Sequence, residues 1–469
     1  MKTILLQPNY QQQRKTKYWG IDPPLGLCYI ATVLDNEGFD VDIIDANAEN
    51  ILVEDLIPKI IDCDVLGISV MTPAVMYVKK LIKALNKNNF KGRIVCGGHH
   101  SSGDPKDMLD IGADVVIKGD GEYKMLKLCN KVPLVDIEGI FYYDEGKLKS
   151  NPDKPLDPND LPIPDRSFLI SNGTNFPYLS TAVVRYPWGA IFTSRGCPYH
   201  YYYCNKQVFG NAFRARTPEN VLEEIDDLVK NYNIKELDIF DDSFNINMKR
   251  AKTILRMIIE RKYKFYIRFP NGIRANLVDE EFMQLLKEAK CIYVAFGCES
   301  GNQDVLDKIG KSLRIDQVKK AVKLAKKYGI PTGIFFIFGL KGDTKETMEQ
   351  TQELAHELNP DFAIFNLLTP YMGTQIYDYI MNTGGKLIID KEELYKYYHT
   401  SGKQIFVHKE FPKPEDTEPI FAASYKRFYL RKEYIFQSIK TSVVQTFRMK
   451  SFAYIKMTLR GLYKLFSSY

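Results

Sequence analysis

The feature that most constrains the fold is a regular alternation of short, β-branched apolar runs with longer amphipathic stretches. Such βα repeats form parallel sheets covered by helices. Helical patterns at residues 26–37 and 74–86 lie between strand-like runs in the first part of the chain. Five strands are predicted there, at residues 3–6, 41–45, 65–70, 94–96 and 115–118. We therefore expect an α/β protein whose first domain, residues 1–135, is an open, doubly wound parallel sheet.

The alternation stops over residues 136–185, where five prolines stand between residues 152 and 164. This composition predicts a linker. Six further strands are predicted at residues 190–193, 236–240, 265–269, 292–296, 332–338 and 362–367. Six βα units are too few for a closed eight-stranded barrel, so residues 186–405 are predicted to form a partial (β/α)6 barrel. Residues 406–469 are predicted to be a basic, helical C-terminal extension.

Composition narrows the setting of the protein. Eight cysteines in 469 residues are too sparse for a disulfide scaffold, which favours a reducing compartment. The first apolar run ends at Gln7 and Pro8, too early for the apolar core of a signal peptide. We find no run of about 18 apolar residues that would indicate a membrane span. We therefore expect a cytoplasmic protein.

The sharpest chemical signal follows the first strand of the second domain. The sequence Ser-Arg-Gly-Cys-Pro-Tyr-His-Tyr-Tyr-Tyr-Cys runs from residue 194 to residue 204 and places Cys197 and Cys204 seven residues apart, with the aromatic Tyr203 before the second. This segment resembles the cluster loop of the radical S-adenosylmethionine (SAM) enzymes. The resemblance implies that Cys197 and Cys204 are metal ligands of a [4Fe-4S] cluster, whose open iron binds SAM.

The loop departs from that family at its middle ligand, where Tyr201 replaces a cysteine. A phenol is a harder donor than a thiol and ionises less readily, so it is a poor iron ligand. The adjacent His200 could supply an imidazole, although it is one residue out of register. Three interpretations stay open: the cluster is lost; a labile cluster uses Tyr201, His200 or an outside ligand; or the two cysteines are structural.

Other segments at predicted strand ends also resemble this family. The resemblance and the chemistry of the side chains assign SAM binding to polar residues at the barrel mouth, and Ile337 and Phe338 are expected to flank the adenine at the apolar end of their strand. For Glu299, capping of the next helix is the alternative, and for Phe338 the alternative is a core position. The candidate cofactor-binding residues of the barrel are Tyr203, Asp241, Asp242, Arg268, Asn271, Glu299, Ser300 and Phe338.

The first domain resembles the cobalamin-binding domain fused to one class of radical SAM enzymes. Glycines at strand ends let a backbone approach a bulky ligand closely, although ordinary βα turns also need them. Residues 1–96 contain no histidine, so the family's usual lower cobalt ligand is absent. His99 and His100 are interpreted as pocket or surface residues. The candidate cobalamin-binding residues are Pro24, Gly26, Ser69, Gly97, Gly98, Gly119 and Gly121.

The charge of the chain is concentrated at its C-terminal end. Residues 420–469 carry ten Lys and Arg against the single acid Glu433, interleaved with aromatic residues. Cationic, aromatic helices of this kind bind anionic membrane surfaces. Packing of the tail on the barrel is the alternative, and the absence of a reader motif argues against nucleic acid. Membrane association on the inner face is therefore kept as an option.

These features together predict a radical SAM enzyme with a [4Fe-4S] cluster, SAM and cobalamin as cofactors, which methylates or otherwise modifies an unreactive carbon. The resemblance implies a small-molecule or lipid-linked substrate and an electron donor such as flavodoxin or ferredoxin. Two alternatives are a cluster-deficient homologue that binds corrinoid or SAM, and a cobalamin-free radical SAM oxidoreductase or cyclase. The sequence does not identify the substrate.

Overall fold

Two parallel sheets dominate the computed structural model, which describes residues 1–11, 21–170, 178, 183–397, 402–449 and 455. The first sheet has seven strands in the order β2-β1-β3-β4-β5-β6-β7, and the first five run parallel. Those five are β1 (Lys2–Gln7), β2 (Asp40–Asp45), β3 (Val65–Ser69), β4 (Arg93–Gly97) and β5 (Val115–Ile117). The predicted doubly wound sheet is confirmed.

Helices cover both faces of this sheet and bury two separate apolar clusters against it. Because both faces are covered, the strands are apolar along most of their length rather than alternating. The helices are α1 (Leu25–Asn36), α2 (Val53–Ile60), α3 (Val75–Lys87), α4 (His99–Gly103), α5 (Pro105–Ile111) and α6 (Glu122–Cys129).

The segment predicted as a linker, residues 136–185, is partly regular. Residues 140–150 form an antiparallel hairpin of β6 (Ile140–Asp144) and β7 (Lys147–Ser150), which extends the first sheet beyond β5. The prolines follow this hairpin, so they mark where the chain leaves the first sheet. The prediction of a linker therefore does not hold for the hairpin, whose first strand has the strand-like run Ile-Phe-Tyr-Tyr and whose second strand is polar and exposed.

The second sheet has six parallel strands in the order β15-β14-β13-β12-β11-β8. Neighbouring strands follow one another in the chain, as in a barrel, and the sheet stays open between its two edges. This confirms the predicted partial barrel. The strands are β8 (Trp188–Ile191), β11 (Glu236–Ile239), β12 (Tyr266–Ile273), β13 (Cys291–Glu299), β14 (Thr332–Phe338) and β15 (Phe362–Leu367).

Helices pack on the outer face of this sheet, and their amino ends carry good capping residues. Thr217 accepts a hydrogen bond from the Asn220 amide at 3.2 Å and Pro218 begins the first helix, as the sequence predicts. The helices are α7 (Pro218–Tyr232), α8 (Met248–Glu260), α9 (Glu280–Glu288), α10 (Gln303–Lys308), α11 (Ile315–Lys327) and α12 (Lys345–Leu358).

The main core of the second domain lies between these helices and the sheet. Side chains alternate along each strand, so every second residue points outward into this core and the others line the barrel interior. Phe338 points outward and stacks on Phe365 with ring centroids 5.7 Å apart. Ile337 therefore lies on the inner side of the same strand.

The C-terminal region is helical, as predicted, after a short pair of strands. β16 (Lys386–Leu387) and β17 (Phe406–Val407) pair on either side of α14 (Lys391–Tyr395), after α13 (Gln375–Asn382). α15 (Pro414–Tyr429) then packs on α12 and β15, and α16 (Lys432–Met449) follows it. Within the described ranges we find no helix with the length and apolarity needed to cross a bilayer.

Candidate functional site

The loop that carries Cys197 and Cys204 is closed by a small antiparallel ladder. β9 (Ser194–Arg195) pairs with β10 (Arg214–Ala215), so the intervening residues form one excursion above the barrel mouth. Gly196 has φ of 79°, and a Cβ at this position would lie 2.3 Å from the Ala212 carbonyl oxygen. Only glycine fits this turn, which aims Cys197 back toward the barrel.

Both cysteines lie in a largely buried, charged environment. Cys197 is 9% exposed, and burial raises the pKa of the Cys204 thiol to about 11. Lys206 and Lys311 act in the opposite direction, whereas Asp242 and Cys197 add to the rise. The contribution of Cys197 to the raised pKa of Cys204 shows that the two thiols lie within electrostatic range of each other.

Tyr201 is held away from a ligand role by its own contacts. Arg274 donates a hydrogen bond to the Tyr201 hydroxyl, and its guanidinium lies 3.5 Å from the centre of the Tyr199 ring. The Tyr201 ring is parallel to those of Tyr199 and Tyr203, with centroids 6.2 and 6.0 Å away. Lys311 lies 4.4 Å from the centre of the Tyr201 ring. The Tyr201 oxygen, which would have to bind iron, is therefore already engaged by the Arg274 guanidinium.

The residues present do not complete the ligand set of a [4Fe-4S] cluster held by three protein ligands. Cys197 and Cys204 suit iron, but Tyr201 does not, since its oxygen is engaged by Arg274. Among the residues that the structure describes, no three His, Cys, Asp or Glu side chains form a group able to hold a metal ion. His200 belongs to no such group and lines a nearby cavity.

Two of the predicted SAM-binding residues meet beside this loop. Glu299 ends β13 with φ of 72°, and its carboxylate lies 2.7 Å from Lys311. Lys311 also donates to the Tyr203 hydroxyl at 3.3 Å. Burial, with a further contribution from Glu299, raises the pKa of Tyr203 well above its usual range. Glu299, Lys311 and Tyr203 thus form a buried polar group next to Cys204.

Asp242 and Asn271 also reach the barrel mouth. The Asp242 side chain reaches solvent at the barrel mouth. Partial desolvation by the surrounding protein, together with the nearby Asp241, raises the pKa of its carboxyl group. The Asn271 amide donates to the Phe240 carbonyl oxygen at 2.8 Å and is itself exposed. Both side chains keep polar atoms available at the carboxyl ends of the strands.

Two other predicted ligand-binding residues have structural roles instead. Asp241 accepts hydrogen bonds from the amide and hydroxyl of Thr193 at 2.6 and 2.5 Å and from the Ser194 hydroxyl at 2.6 Å. Ser300 accepts from the Asn302 amide at 3.2 Å and lies 3.4 Å from the Thr351 hydroxyl. The polar side-chain atoms of Asp241 and Ser300 therefore have hydrogen-bond partners within the protein, and the sequence alone does not reveal these partners.

Arg268 and Phe338 are likewise placed away from the mouth. Arg268 lies inside the barrel, 2.8 Å from Glu236 and 3.5 Å from Asp238. It is three residues nearer the start of β12 than Asn271, and its charge is compensated there. Phe338 is fully buried in the outer core, so the core interpretation holds and the adenine role does not. The neighbouring Ile337 faces inward in its place.

The buried Asp238 gives a pH-dependent prediction. Burial raises its pKa from 3.8 to about 7, although Arg268 lowers it in part. The folded protein then binds a proton more tightly than the unfolded chain, so the free energy of unfolding falls as the pH rises from 3.8 to about 7. We expect D238N, in urea unfolding at about pH 5 and about pH 8, to lose this decline, which amounts to a few kcal/mol. An equal decline in both proteins would contradict the assignment.

The glycines of the first domain divide into two groups. Gly98 has φ of 92°, and a Cβ there would lie 3.0 Å from the Val70 amide nitrogen and carbonyl oxygen, beside Ser69. A Cβ on Gly119 would lie 2.8 Å from Asp153, and one on Gly121 would lie 3.2 Å from Ile30. These three glycines are explained by packing within the protein.

Gly97 and Gly26 instead face open space. A Cβ on Gly97 would meet nothing nearer than 3.9 Å, and one on Gly26, just after the Pro24 cap of α1, would meet nothing within 4 Å. Gly97 ends β4, where a bound ligand would lie in a sheet of this kind. Free space above a glycine at that edge forms a cradle that a large planar cofactor can use.

The two histidines of the same turn differ sharply. His100 is buried, with Nδ1 3.2 Å from the Thr72 hydroxyl and Nε2 3.1 Å from Asp107. Both of its ring nitrogens are occupied. His99 is accessible to solvent, yet burial by surrounding protein lowers its pKa. His99 therefore stays a candidate pocket or surface residue.

Buried ion pairs fasten the cysteine loop to the first domain. Arg195 of β9 binds Asp120 and Glu122, both at 2.7 Å, at the start of α6. Arg214 of β10 binds the second oxygen of Asp120 at 2.6 Å. These ion pairs were not predicted, because no local sequence pattern links residue 120 with residues 195 and 214. They fix the strand ends of the first sheet above the barrel mouth.

A cavity of about 240 Å³ lies at this junction. The first domain contributes Lys118 and Asp120 to its wall, while the loop contributes Tyr201, Cys204 and Lys206. The end of β5 in the first sheet and the cysteine loop therefore line one space between the two α/β units, a usual place for a bound ligand.

The fold and this junction define a class of protein. Family models match residues 191–355 as the radical SAM superfamily and residues 16–128 as a B12 binding domain. An uncharacterized methyltransferase from Pyrococcus horikoshii is 32% identical over 481 residues, covering 99% of each chain. The chain therefore belongs to the radical SAM methyltransferases that carry a B12 binding domain.

Individual relatives support this placement. An anaerobic magnesium-protoporphyrin IX monomethyl ester cyclase from Rubrivivax gelatinosus is 26% identical, covering 93% of this chain and 78% of the cyclase. The radical SAM methyltransferase TsrM from Kitasatospora setae, solved with cobalamin and a [4Fe-4S] cluster, superposes with a TM-score of 0.70 at 18% identity. That superposition covers 92% of this chain and 89% of TsrM and shows a shared fold.

Proposed function

We propose that this chain binds a corrinoid and SAM at the junction of its two domains and methylates an unreactive carbon of a small-molecule or lipid-linked substrate. The observation that carries the proposal is the cavity at the junction, which is lined by residues that follow β5 of the B12-type sheet and by the cysteine loop. TsrM has been solved with tryptophan, a small molecule, which supports the substrate class.

The residues of the first domain fit a corrinoid. Gly97 leaves space at the end of β4, Ser69 stands at the end of the adjacent β3, and the exposed His99 follows in the turn after β4. A bound corrinoid supplies a cobalt centre that carries a methyl group. The protein would hold the corrinoid and exclude water from the domain junction. The buried ion pairs of Arg195 with Asp120 and Glu122 close this junction.

The barrel mouth offers polar groups suited to SAM. Glu299, Asn271 and Asp242 present oxygen and nitrogen atoms at the strand ends, and Tyr203 closes the side next to Cys204. Carboxylates suit the amino group and the ribose hydroxyls of SAM, and Lys311 suits its carboxylate. We derive no step through an iron–sulfur cluster, because Tyr201 does not fit as the third ligand.

A cluster-deficient homologue is the second candidate, and the Arg274 contact of Tyr201 favours it. Such a protein would retain SAM and corrinoid binding. A cobalamin-free cyclase or oxidoreductase is a third candidate; the Rubrivivax gelatinosus relative is a cyclase, whereas the match to a B12 binding domain argues against the absence of cobalamin. An external electron donor such as flavodoxin or ferredoxin belongs to the same proposal, whereas a peripheral membrane contact through the basic tail is a separate proposal.

Two glycine variants test corrinoid binding. We expect G97A to fold like the wild type but to bind cobalamin at least about tenfold more weakly, since its methyl group fills the proposed cradle. G98A is expected to lose on the order of 1–3 kcal/mol of stability, because its φ of 92° is strained for alanine and its Cβ meets Val70. Titration of corrinoid absorbance and thermal unfolding give the two readouts.

The pair of variants separates packing from binding. If G97A binds cobalamin as tightly as the wild type, the cradle is misplaced. If purified protein reconstituted with cobalamin shows no corrinoid absorbance at all, the third candidate is favoured over the first.

A further inference from the structure

Helix α16 is firmly attached to the barrel through one of its faces. The Tyr434 hydroxyl donates to the Asp361 carbonyl oxygen at 2.9 Å, and the Thr441 hydroxyl donates to the Asp361 carboxylate at 3.0 Å. Gln437, one turn after Tyr434, donates to the Asn359 carbonyl oxygen at 3.1 Å. These contacts recur at helical spacing, so they fix which side of α16 faces outward.

The outward side is apolar over three turns. Phe436 is 73% exposed and Phe447 is 79% exposed, and eleven residues separate them, a rise of about 16 Å. Ile439, Val443 and Val444 lie between them and are 54%, 42% and 52% exposed. These two phenylalanines are the most exposed large apolar side chains that the structure describes. Val135, at 70%, comes next. A contiguous patch of this kind marks an interaction surface.

Cations outnumber acids on α16 and in the sequence that follows it. Lys432 and Lys440 are exposed on the same side of the helix. From residue 432 to residue 469 the sequence has seven Lys and Arg against the single acid Glu433. A partner for this face must therefore combine an apolar interior with a negative surface.

We propose that the outward face of α16 docks on an anionic phospholipid bilayer, with Phe436 and Phe447 inserted among the acyl chains and the lysines at the headgroups. Interfacial helices have this combination of aromatic side chains and cations. A second copy of the chain would bring two like-charged faces together, which opposes an isologous contact. Nucleic acid would satisfy the cations but leave the aliphatic side chains exposed.

The proposal places the protein at a membrane independently of its chemistry. It stands on exposed residues far from Cys204 and the domain junction, so its failure would leave the methyltransferase proposal intact. Docking would give the enzyme access to lipid-linked or membrane-dissolved substrates, one of the two classes considered above.

Co-sedimentation of the full chain with vesicles tests this surface. We expect binding to phosphatidylcholine vesicles with about a third phosphatidylglycerol to exceed binding to pure phosphatidylcholine at least about tenfold, and to weaken at high salt. The variant F436S/F447S should bind the anionic vesicles at least about tenfold more weakly. The variant K432Q/K440Q should lose about fivefold for each lysine.

The matched control is V135S/L148S, which removes two exposed apolar side chains from the first domain. It should bind like the wild type, and thermal unfolding of all variants should coincide because every altered side chain is exposed. Wild-type protein that stays in the supernatant, or F436S/F447S that binds undiminished, would overturn the proposal.

Other occupants of the face give different results. A dimer that F436S/F447S dissolves, without vesicle binding, would make the face a subunit interface. Retention on DNA without retention on vesicles would make it a nucleic-acid surface. A monomer that binds neither would leave residues 450–469 of the same chain as the cover. Each of these three outcomes overturns docking on a bilayer.

Discussion

Replacing Tyr201 by cysteine is expected to raise the iron and sulfide bound after anaerobic reconstitution to about four of each per chain. The wild type should bind far less, because two thiolates leave two of the four cluster irons without a protein ligand, one more than the iron kept open for SAM, and Arg274 engages the Tyr201 oxygen. A cysteine at this position removes the hydroxyl from Arg274 and supplies a soft, anionic donor. Iron and sulfide analysis, together with the visible spectrum and electron paramagnetic resonance of the reduced protein, measures the change.

The controls use neighbours in the same loop. Y199C adds a thiol beside the same arginine but outside the ligand register, and it should leave the iron content at the wild-type value. C204A introduced into Y201C should return it to that value. Wild-type protein that already holds four irons would show that Tyr201, His200 or an outside donor completes the cluster. In that case the labile-cluster interpretation would replace the cluster-deficient one.

The fold was predictable because its determinants are local. Apolar β-branched runs and helix starts such as Thr217 with Pro218 appear directly in the sequence, and parallel strands force their ends to one edge. The Gly196 turn and the spacing of Cys197 and Cys204 are local as well. Glu299, Tyr203, Asn271 and Asp242 were therefore placed at the barrel mouth by their positions near strand ends together with the family resemblance.

The rest of the site depends on contacts between distant parts of the chain. Arg274 and Lys311, which surround Tyr201, come from later barrel segments, and no spacing rule connects them with residue 201. Arg268 was assigned to the mouth because it lies in the right strand, but compensation by Glu236 holds it inside the barrel. A sequence shows that an arginine is present, but it does not show which carboxylate forms an ion pair with that arginine.

Side-chain direction was the other obstacle. Ile337 and Phe338 are adjacent, and the alternation along β14 sends one inward and the other into the core. Both were expected to flank the adenine, because an entirely apolar run such as that of β14 carries no polar residue to mark the inner side. Here the structure supplies the missing reference, through the stack of Phe338 on Phe365.

Positive charge surrounds the cysteine loop on several sides. Lys206 donates to the Cys197 carbonyl oxygen at 3.0 Å, Lys311 pairs with Glu299, and Arg274 contacts Tyr199 and Tyr201. Cations of this kind stabilise thiolates or an anionic centre. Their retention around a loop that lacks its middle cysteine is consistent with a site that still binds an anionic group, such as the carboxylate of SAM.

The second large effect is expected from Glu224, which lies fully buried on α7. It pairs with Arg166, from the segment between the two sheets, and with Arg216, just before α7, and it accepts a hydrogen bond from the Tyr29 hydroxyl of α1 at 3.3 Å. Burial alone would raise its pKa, but the two arginines hold the pKa below its usual value. One carboxylate thus compensates two buried cations and joins both domains.

We expect E224Q to lower the free energy of unfolding by about 3–5 kcal/mol, since it leaves two buried guanidinium groups without a counter-charge. Urea or thermal unfolding followed by circular dichroism measures the loss. The control is E223Q, which changes the exposed neighbouring residue of the same helix and should stay within about 0.5 kcal/mol of the wild type. Equal stability of the two variants would show that Arg166 and Arg216 are compensated by other groups, and that Glu224 does not hold the domains together.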